Sequence, residues 1–246
     1  MDRAIYTAMT GAKSTLLQQA SVGHNLANAN TDGFRAELHR LRAVPVISQA
    51  LPSRAFVVDA SVANDMTAGP LQHTGRGLDA AISGQGWFAV QTPDGNEAYT
   101  RGGRFELGPN GELVTETGLA VIGDGGPVAL PPDNQYEIGT DGTITAIPRT
   151  GDRNAAQVIG QLKLVNPDPA SLVRGGDGLF RTGNNQPVAA DPAVQVASGF
   201  VEGSNVNVVE QMTQMIALAR HFEFQTKLIT TAETNSQSAD QILRTT

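Results

Sequence analysis

The stretch that decides the fold is Asn25-Leu-Ala-Asn-Ala-Asn-Thr-Asp-Gly-Phe34, which follows an amphipathic segment. In that segment, apolar residues recur at alternating steps of four and three, which predicts a helix of about 30 residues, or about 45 Å. Gly33 can take the left-handed backbone conformation that ends a helix. Because so narrow a stripe does not bury itself alone, we expect a partner helix. The stripe consists of Ile5, Met9, Ala12 and Leu16, extended by Ala20 and Leu26–Ala27.

The last forty residues contain a suitable partner. The same alternation of four and three residues recurs there, and Asn207 with Glu210 has the spacing of a capping box, so a helix is predicted to begin near residue 207. Sustained spacing of this kind favours a coiled coil between the two terminal helices. Two ordinary amphipathic helices docked on the middle of the same chain are the alternative. The second stripe consists of Val208, Met212, Met215, Ala219, Phe222, Thr226 and Ile229.

The composition indicates a turn-rich β protein between these helices. The chain has 27 glycines and few aromatic residues, and its formal charge of −7 gives no support for nucleic-acid binding. It has no cysteine, which excludes disulfides and thiolate metal sites. No apolar run is long enough for a transmembrane helix. The N-terminus lacks the features of a cleavable signal peptide, so we expect a cytosolic protein or one exported without such a signal.

The middle of the chain divides by composition. A basic cluster at 35–42 is either a solvated helix extension or a contact to an acidic neighbour. Residues 43–70 contain several prolines and are predicted to form an extended connector with one short strand. From residue 71 to about 198, short strands alternate with turn pairs. Three pairs supply the positive φ that tight hairpins need, namely Asp94-Gly95, Asn110-Gly111 and Asp141-Gly142. Further strands are predicted at 157–165, 178–181 and 194–200.

The predicted fold class is therefore α+β. Long N- and C-terminal helices pair as a coiled coil, with a mainly antiparallel β domain inserted between them. The predicted regions are the N-terminal helix and bend (1–42), the connector (43–70), the β-rich domain (71–198) and the C-terminal helix (199–246).

No residue pattern requires catalysis, a cofactor or a metal. Gly84-Gln-Gly86-Trp-Phe-Ala89 matches a loose dinucleotide fingerprint, but a strand rather than a helix is predicted after it, so a β-turn is the better interpretation. An enzyme that uses the Gly84–Ala89 loop stays a remote alternative. The four histidines lack the helical spacing of metal ligands, and His24 and His221 are expected to make hydrogen bonds between the terminal helices. The acids Asp79, Glu97, Glu106 and Glu112 are interpreted as solvated strand residues.

Three parts of the chain together resemble the flagellar rod, hook and hook-associated axial proteins. Residues 25–34 resemble the N-terminal signature of that family, and Gly203-Ser-Asn-Val-Asn-Val-Val-Glu-Gln-Met212 resembles its C-terminal segment. Residues 74–82 and 98–105 resemble the central β domain of rod and hook proteins. Within the family, residues 1–9, residues 75–79 and the chain length favour a proximal rod protein. A distal rod or hook-type axial protein is the alternative.

This resemblance implies a structural subunit of the basal-body rod. Such proteins pass unfolded through the flagellar type III export apparatus and build a tubular drive shaft across the periplasm that transmits motor torque. The implied partners are the protein itself and neighbouring rod proteins, including the distal rod protein, without nucleic acid or membrane insertion. The expected assembly-interface residues are Ile5, Met9, Ala12, Leu16, Asn25, Leu26, Asn28, Asn30, Gly33, Phe34, Asn205, Asn207, Val208, Met212, Met215, Ala219, Phe222 and Ile229.

Overall fold

The structure, a computed structural model, describes residues 3–45, 55–149 and 156–244. Helix α1 (Arg3–Ala27) has 25 residues and helix α2 (Val208–Arg244) has 37. Neither helix has the length and apolar content that a membrane span requires, as far as the described residues go. The strands are β1 (Glu37–Pro45), β2 (Ala55–Asn64), β3 (Leu71–His73), β4 (Ala80–Ser83), β5 (Trp87–Gln91), β6 (Glu97–Thr100), β7 (Phe105–Leu107), β8 (Leu113–Thr115), β9 (Ala120–Gly123), β10 (Gly126–Pro127), β11 (Asn134–Ile138), β12 (Thr143–Pro148), β13 (Gln157–Gln161), β14 (Leu164–Val165), β15 (Leu172–Arg174), β16 (Phe180–Thr182), β17 (Gln195–Ser198) and β18 (Phe200–Glu202).

The chain folds into two compact units. The helical unit contains residues 1–29, 36–65 and 206–246, and the β unit contains residues 30–35 and 66–205. The α+β class predicted from the sequence is confirmed, with a helix near each end of the chain and mostly antiparallel strands between them.

The helical unit also contains a two-stranded antiparallel sheet. Strands β1 and β2 pair from Glu37 opposite Asn64 to Pro45 opposite Ala55, with a bulge between Arg40 and Leu41. The sequence predicted a connector with one short strand here, and a helix extension was one interpretation of residues 35–42. The helix extension is corrected to strand β1, and the short strand expected in the connector is a ten-residue strand, β2, which pairs with β1. Pro45 lies at a strand end, where no ladder bond is lost. Residues 46–54 of the predicted connector lie outside the described residues.

The β unit is built on a nine-stranded sheet. Seven strands follow the order β15-β16-β6-β5-β9-β8-β7, while β10 pairs with β9 and β14 pairs with β5. A three-stranded sheet β11-β12-β13 and the pairs β4–β17 and β3–β18 complete the unit. The predicted hairpin turns are confirmed, since Gly95, Gly111 and Gly142 have φ of 80°, 76° and 83° and each lies between paired antiparallel strands.

Strand β5 lies at the centre of the β unit and is buried on both faces. Alternate residues of a strand point to opposite faces. Phe88 packs edge-on against Phe105 in the larger apolar cluster, whereas Trp87 packs against Phe180 in a second cluster. Because a strand begins at Trp87, the glycines before it lie in a turn between β4 and β5. The helix that a dinucleotide fingerprint needs does not follow them.

We expect buried Tyr99 to make the β unit sensitive to alkali. Its hydroxyl accepts a hydrogen bond from the Val188 amide, and burial raises its pKa to about 12. The unfolded chain loses this proton near pH 10 and the folded chain near pH 12, so stability falls by about 1.4 kcal/mol per pH unit between them. Urea titrations from pH 9 to 12 should show this loss for the wild type but not for Tyr99→Phe. Equal slopes would contradict it.

Candidate assembly interface

Helices α1 and α2 pack against each other in antiparallel directions. The contacts join residues that rise in number along α1 to residues that fall in number along α2. These pairs are Gly11 with Gln225, Thr15 with His221, Gly23 with Met215 and Asn25 with Gln211. The α1 partners include two glycines and a threonine, and small side chains allow the two backbones to approach closely.

Thr15 and His221 form a partly buried polar contact between the helices. The Thr15 hydroxyl donates to the carbonyl of Gly11 at 2.9 Å and lies 3.1 Å from Nδ1 of His221. Since a hydroxyl has a single hydrogen, both bonds form together only when His221 Nδ1 bears the proton and donates. The predicted hydrogen bond of His221 between the terminal helices is confirmed. His24 instead contacts Glu37, with Nδ1 and Oε1 3.1 Å apart.

Asn25 joins three elements of the helical unit. Its side chain is 2 % exposed, and its amide matches the backbone of Glu37 in both directions, donating to the carbonyl at 2.9 Å and accepting from the N–H at 2.8 Å. The same Nδ2 also lies 3.3 Å from Oε1 of Gln211. Because the side-chain amide of Asn25 bonds to the backbone of β1 and to a side chain of α2, it fixes the position of α1 against both elements.

Only part of the apolar stripe predicted for α1 is buried. Ala12 is buried and Ile5 half-buried, but Met9 and Leu16 are half-exposed. The contacting residues Gly11 and Thr15 each lie one position before a stripe residue, which corresponds to a rotation of about 100° around the helix. The pairing of Met9 and Leu16 with a second helix stays a prediction.

The C-terminal stripe is partly directed inward. Four of its members are half-buried, and three are exposed: Val208, Met212 and Thr226. The half-buried members are Met215, Ala219, Phe222 and Ile229. The helix begins as predicted, because the Asn207 side chain accepts from the amides of Val209 and Glu210.

Both helices also expose large apolar residues, some of which belong to the predicted stripes. On α1 these are Tyr6, Met9, Leu16 and Leu17, and on α2 they are Val208, Val209, Met212, Ile216, Phe224 and Leu228. Single exposed apolar residues are ordinary on protein surfaces, whereas contiguous rows of them mark interaction sites. The helical unit therefore presents apolar surface beyond what its own packing uses.

The β unit contains a buried ionic cluster around Glu202. One carboxylate oxygen lies 2.6 Å from Nη2 of Arg35 and the other 3.3 Å from Nε of Arg101, and all three side chains are at most 5 % exposed. The carboxylate also accepts from the amide of Gly69 at 2.9 Å. Burial lowers the pKa of Arg101, and the neighbouring Glu202 opposes that shift. Two buried cations thus share one carboxylate.

Segment 30–35 of the β unit also contacts Glu202, through the side chain of Arg35 and through a backbone hydrogen bond from Gly33. Gly33 has φ of 70°, as predicted, and its amide donates to the carbonyl of Glu202 at 2.7 Å. A side chain at Gly33 would overlap the backbone of Arg101 and Gly102. Asp32 accepts from Nε of Arg104 at 2.8 Å. Only glycine fits this position, because both the conformation and the close approach exclude a Cβ atom.

The other predicted interface residues take local structural roles. The Asn28 side chain donates to the carbonyl of His24 and closes the last turn of α1, while Leu26 is half-buried and Asn30 exposed. Phe34 is buried beneath the guanidinium of Arg174, 4.4 Å from its ring centre. Asn205 donates to the carbonyl of Thr67.

The sequence did not predict the Glu202 cluster. Arg35 was assigned to a basic run for which a solvated helix extension or an acidic contact was open, and the structure selects the acidic contact. Glu202 and Arg101 have no periodic signal, since each is a lone charge beside apolar residues. The signal that could have indicated the cluster is the location of Arg101 within, and of Glu202 beside, the stretches that resemble one family.

Sequence profiles of three families match the chain. Residues 5–35 match "Flagella basal body rod protein", residues 81–146 match "Flagellar hook protein FlgE/F/G D1 domain", and residues 197–242 match "Flagellar basal body rod FlgEFG protein C-terminal". The chain is 47 % identical over 249 residues to the flagellar basal-body rod protein FlgF of Salmonella typhimurium, with 99 % of each chain covered. This chain belongs to the flagellar basal-body rod protein family.

More distant relatives agree with this assignment. FlgF of Caulobacter vibrioides is 34 % identical over 250 residues, with 97 % of each chain covered. The flagellar basal-body rod protein FlgG of Bacillus subtilis is 32 % identical over 262 residues, covering 95 % of this chain and 96 % of that relative. This rod protein is a structural subunit of the flagellar basal body and associates with other rod proteins.

We expect Glu202→Gln to destabilise this rod protein by about 3–5 kcal/mol, because it leaves two buried guanidinium groups without a counter-charge. The free energy of unfolding in urea measures the loss. Glu116→Gln, at an exposed position of the same unit, is the control and should change stability by less than about 0.5 kcal/mol. A similar small change for both variants would contradict the role of Glu202.

Gly33→Ala should cost more than about 2 kcal/mol, from the left-handed backbone and from overlap with Gly102. Gly118→Ala is a matched control, because Gly118 has φ of 80° but open space where a Cβ would lie. The difference between the two variants in thermal unfolding measures the overlap. Equal losses would mean that backbone conformation alone explains the glycine at position 33.

Proposed function

We propose that this rod protein self-assembles through its paired terminal helices into the tubular drive shaft that transmits motor torque. The main support is that α1 and α2 already pack on each other, yet each still exposes a row of large apolar side chains. A surface patch that meets a different patch on the next copy generates rings or open helical filaments. Assembly would cover the apolar rows that the isolated chain leaves in water.

In the assembled rod we propose that the helix pair forms a coiled coil. The half-buried residues of α2 follow steps of four, three and seven residues, from Met215 through Ala219 and Phe222 to Ile229, which fits a heptad seam except at the exposed Thr226. Met215 lies beside Gly23 of α1, and the nearby residues Gln225 and His221 contact Gly11 and Thr15. Small residues of α1 therefore lie along this part of α2.

Two properties support a location in the proximal part of the rod and export by the type III apparatus. Identity to the Salmonella FlgF is 47 %, against 32 % for the Bacillus FlgG, which favours a FlgF-type subunit over a distal rod or hook-type subunit. The chain has no cysteine, so no disulfide would resist unfolding before passage through a narrow channel or form in the periplasm. The proposed role is structural rather than catalytic.

A truncation experiment tests this function. Chains lacking residues 208–246, or carrying the full sequence, would be produced in a strain without the native gene, and basal bodies would be isolated. We expect the full chain in the rod and the truncated chain absent from it. Absence of the full chain from basal bodies would contradict the proposed function, and so would normal incorporation of the truncated chain.

Single substitutions in α2 give a finer test. Met215→Asp and Phe222→Asp place a carboxylate at half-buried positions, where its desolvation opposes helix packing. We expect both variants to abolish swimming in soft agar. Thr226→Asp, at an exposed position of the same helix, is the control and should swim at a rate closer to wild type. Wild-type motility of the first two variants would refute the coiled-coil seam.

A further inference from the structure

The ionic cluster around Glu202 carries a net positive charge. Arg35 and Arg101 share this one carboxylate, and all three side chains are almost fully buried in the β unit. A buried charge is costly unless an opposite charge compensates it. One of the two guanidinium charges is therefore left over.

The N–H groups of the two arginines are also short of acceptors. A guanidinium carries five N–H donors. Within the described part of the chain, no nitrogen of the Arg35 guanidinium makes a hydrogen bond, because its 2.6 Å contact with Glu202 is an ion pair without hydrogen-bond alignment. Nη1 of Arg101 likewise has no acceptor there, although its Nη2 donates to the carbonyl of Gly84 at 2.6 Å. The unpaired donors and the unpaired charge thus lie in the same place.

The neighbours of Arg101 do not supply the missing charge. Burial lowers the pKa of Arg101 most, the charge of Glu202 opposes that shift, and the charge of Arg35 adds to it. The ring of Trp87, whose centre is 5.7 Å from the guanidinium carbon, contributes a cation–π contact but no full negative charge. Among the described residues, Glu202 is the acidic side chain that pairs with both arginines.

We propose that a small inorganic anion of the size of chloride binds to the unpaired N–H groups of Arg35 and Arg101. One negative charge would neutralise the cluster and accept several of the free hydrogen bonds at once. A monatomic ion suits a site closed to solvent, because it takes little volume and accepts hydrogen bonds from any direction. A buried water would accept the same bonds but would leave the charge uncompensated.

Such an anion would stabilise the folded β unit alone. Arg35 ends the segment 30–35, and Arg101 directly follows β6, so the two arginines are distant in sequence and come together only on folding. A ligand that binds the folded state and not the unfolded chain shifts the equilibrium towards folding. The inference is independent of the proposed function, because it concerns the β unit and not the terminal helices.

A comparison of anions at constant ionic strength tests the site. Urea unfolding of the full chain would be followed by the fluorescence of Trp87, the single tryptophan, which lies beside Arg101. Sodium chloride would replace sodium gluconate, whose anion is too large for a closed site, so that the screening of surface charges stays the same. At a chloride concentration ten times the dissociation constant, the folding equilibrium constant should rise about elevenfold. A constant value across the series would mean that water satisfies the arginines, and would overturn the inference.

A change in the charge of the cluster identifies the site. Arg101→Leu leaves Arg35 opposite Glu202 without a surplus charge, and we expect this variant to lose the chloride dependence. Arg181→Leu is the matched control, because Arg181 forms a one-to-one pair with Asp177 in the same unit and should not affect the anion. If Arg101→Leu responds to chloride as strongly as the control, the anion binds elsewhere and the inference is refuted.

A measurement on the wild type covers the case in which Arg101→Leu does not fold. Crystals of the full chain grown in sodium bromide would be measured at the bromine absorption edge, where bromide scatters anomalously. We expect an anomalous peak within hydrogen-bond distance of Arg35 and Arg101. Peaks at surface positions alone would indicate an adventitious ion only and would contradict the site. Neither result changes the outcome of the truncation experiment, so failure of the anion site and failure of the proposed function are distinguishable.

Discussion

The β unit depends on one buried carboxylate. Glu202 balances Arg35 and Arg101 at the same time, and its main-chain carbonyl accepts from Gly33. Burying three charges is expensive unless they are paired, so the chain segments that bring them have little freedom to move apart. The cluster fixes the path of residues 30–35, which follow α1, and of residues 202–205, which precede α2. A local electrostatic requirement thus constrains both of these segments within the β unit.

This geometry also explains why the family signatures lie where they do in the chain. The stretches 25–34, 98–105 and 203–212 are distant in sequence, but each has residues in or beside the same cluster within the β unit. Asp32 pairs with Arg104, Gly33 lies against Gly102, and the Asn205 amide donates to the carbonyl of Phe34. The resemblance therefore reflects one three-dimensional arrangement and not three separate motifs.

Local chemistry made part of this structure predictable. The turn glycines, the Asn207 cap and the left-handed conformation of Gly33 each depend on neighbours within a few residues and were predicted correctly. Helix α1, however, ends at Ala27, before the glycine that was expected to stop it. The Glu202 cluster was not predictable, because it joins residues more than a hundred positions apart without any repeat. Strand β1 was missed and strand β2 was predicted only as a short strand for a related reason, since each is stabilised by the other and neither has a clear alternation on its own.

The faces of the terminal helices show a different limit of sequence reasoning. Hydrophobic periodicity finds apolar surface but does not tell whether that surface is covered by the same chain or by another. On α1 the internal contact uses Gly11 and Thr15, which a hydrophobicity pattern overlooks, while Met9 and Leu16 stay exposed. The sequence pattern therefore identifies the apolar residues of α1 without identifying the surface that covers them.

The unequal lengths of the two helices have a consequence for how the free subunit differs from the assembled one. Helix α2 is longer than α1 by 12 residues, or about 18 Å, and the antiparallel contacts align the start of α2 with the end of α1. The surplus turns therefore lie at the C-terminal end of α2, past the first described residue of α1. A helical end without tertiary packing is marginal in water. The last turns of α2 in the free subunit should accordingly fray. If neighbouring molecules order these turns, the entropic cost of ordering them would offset part of the free energy that rod growth releases.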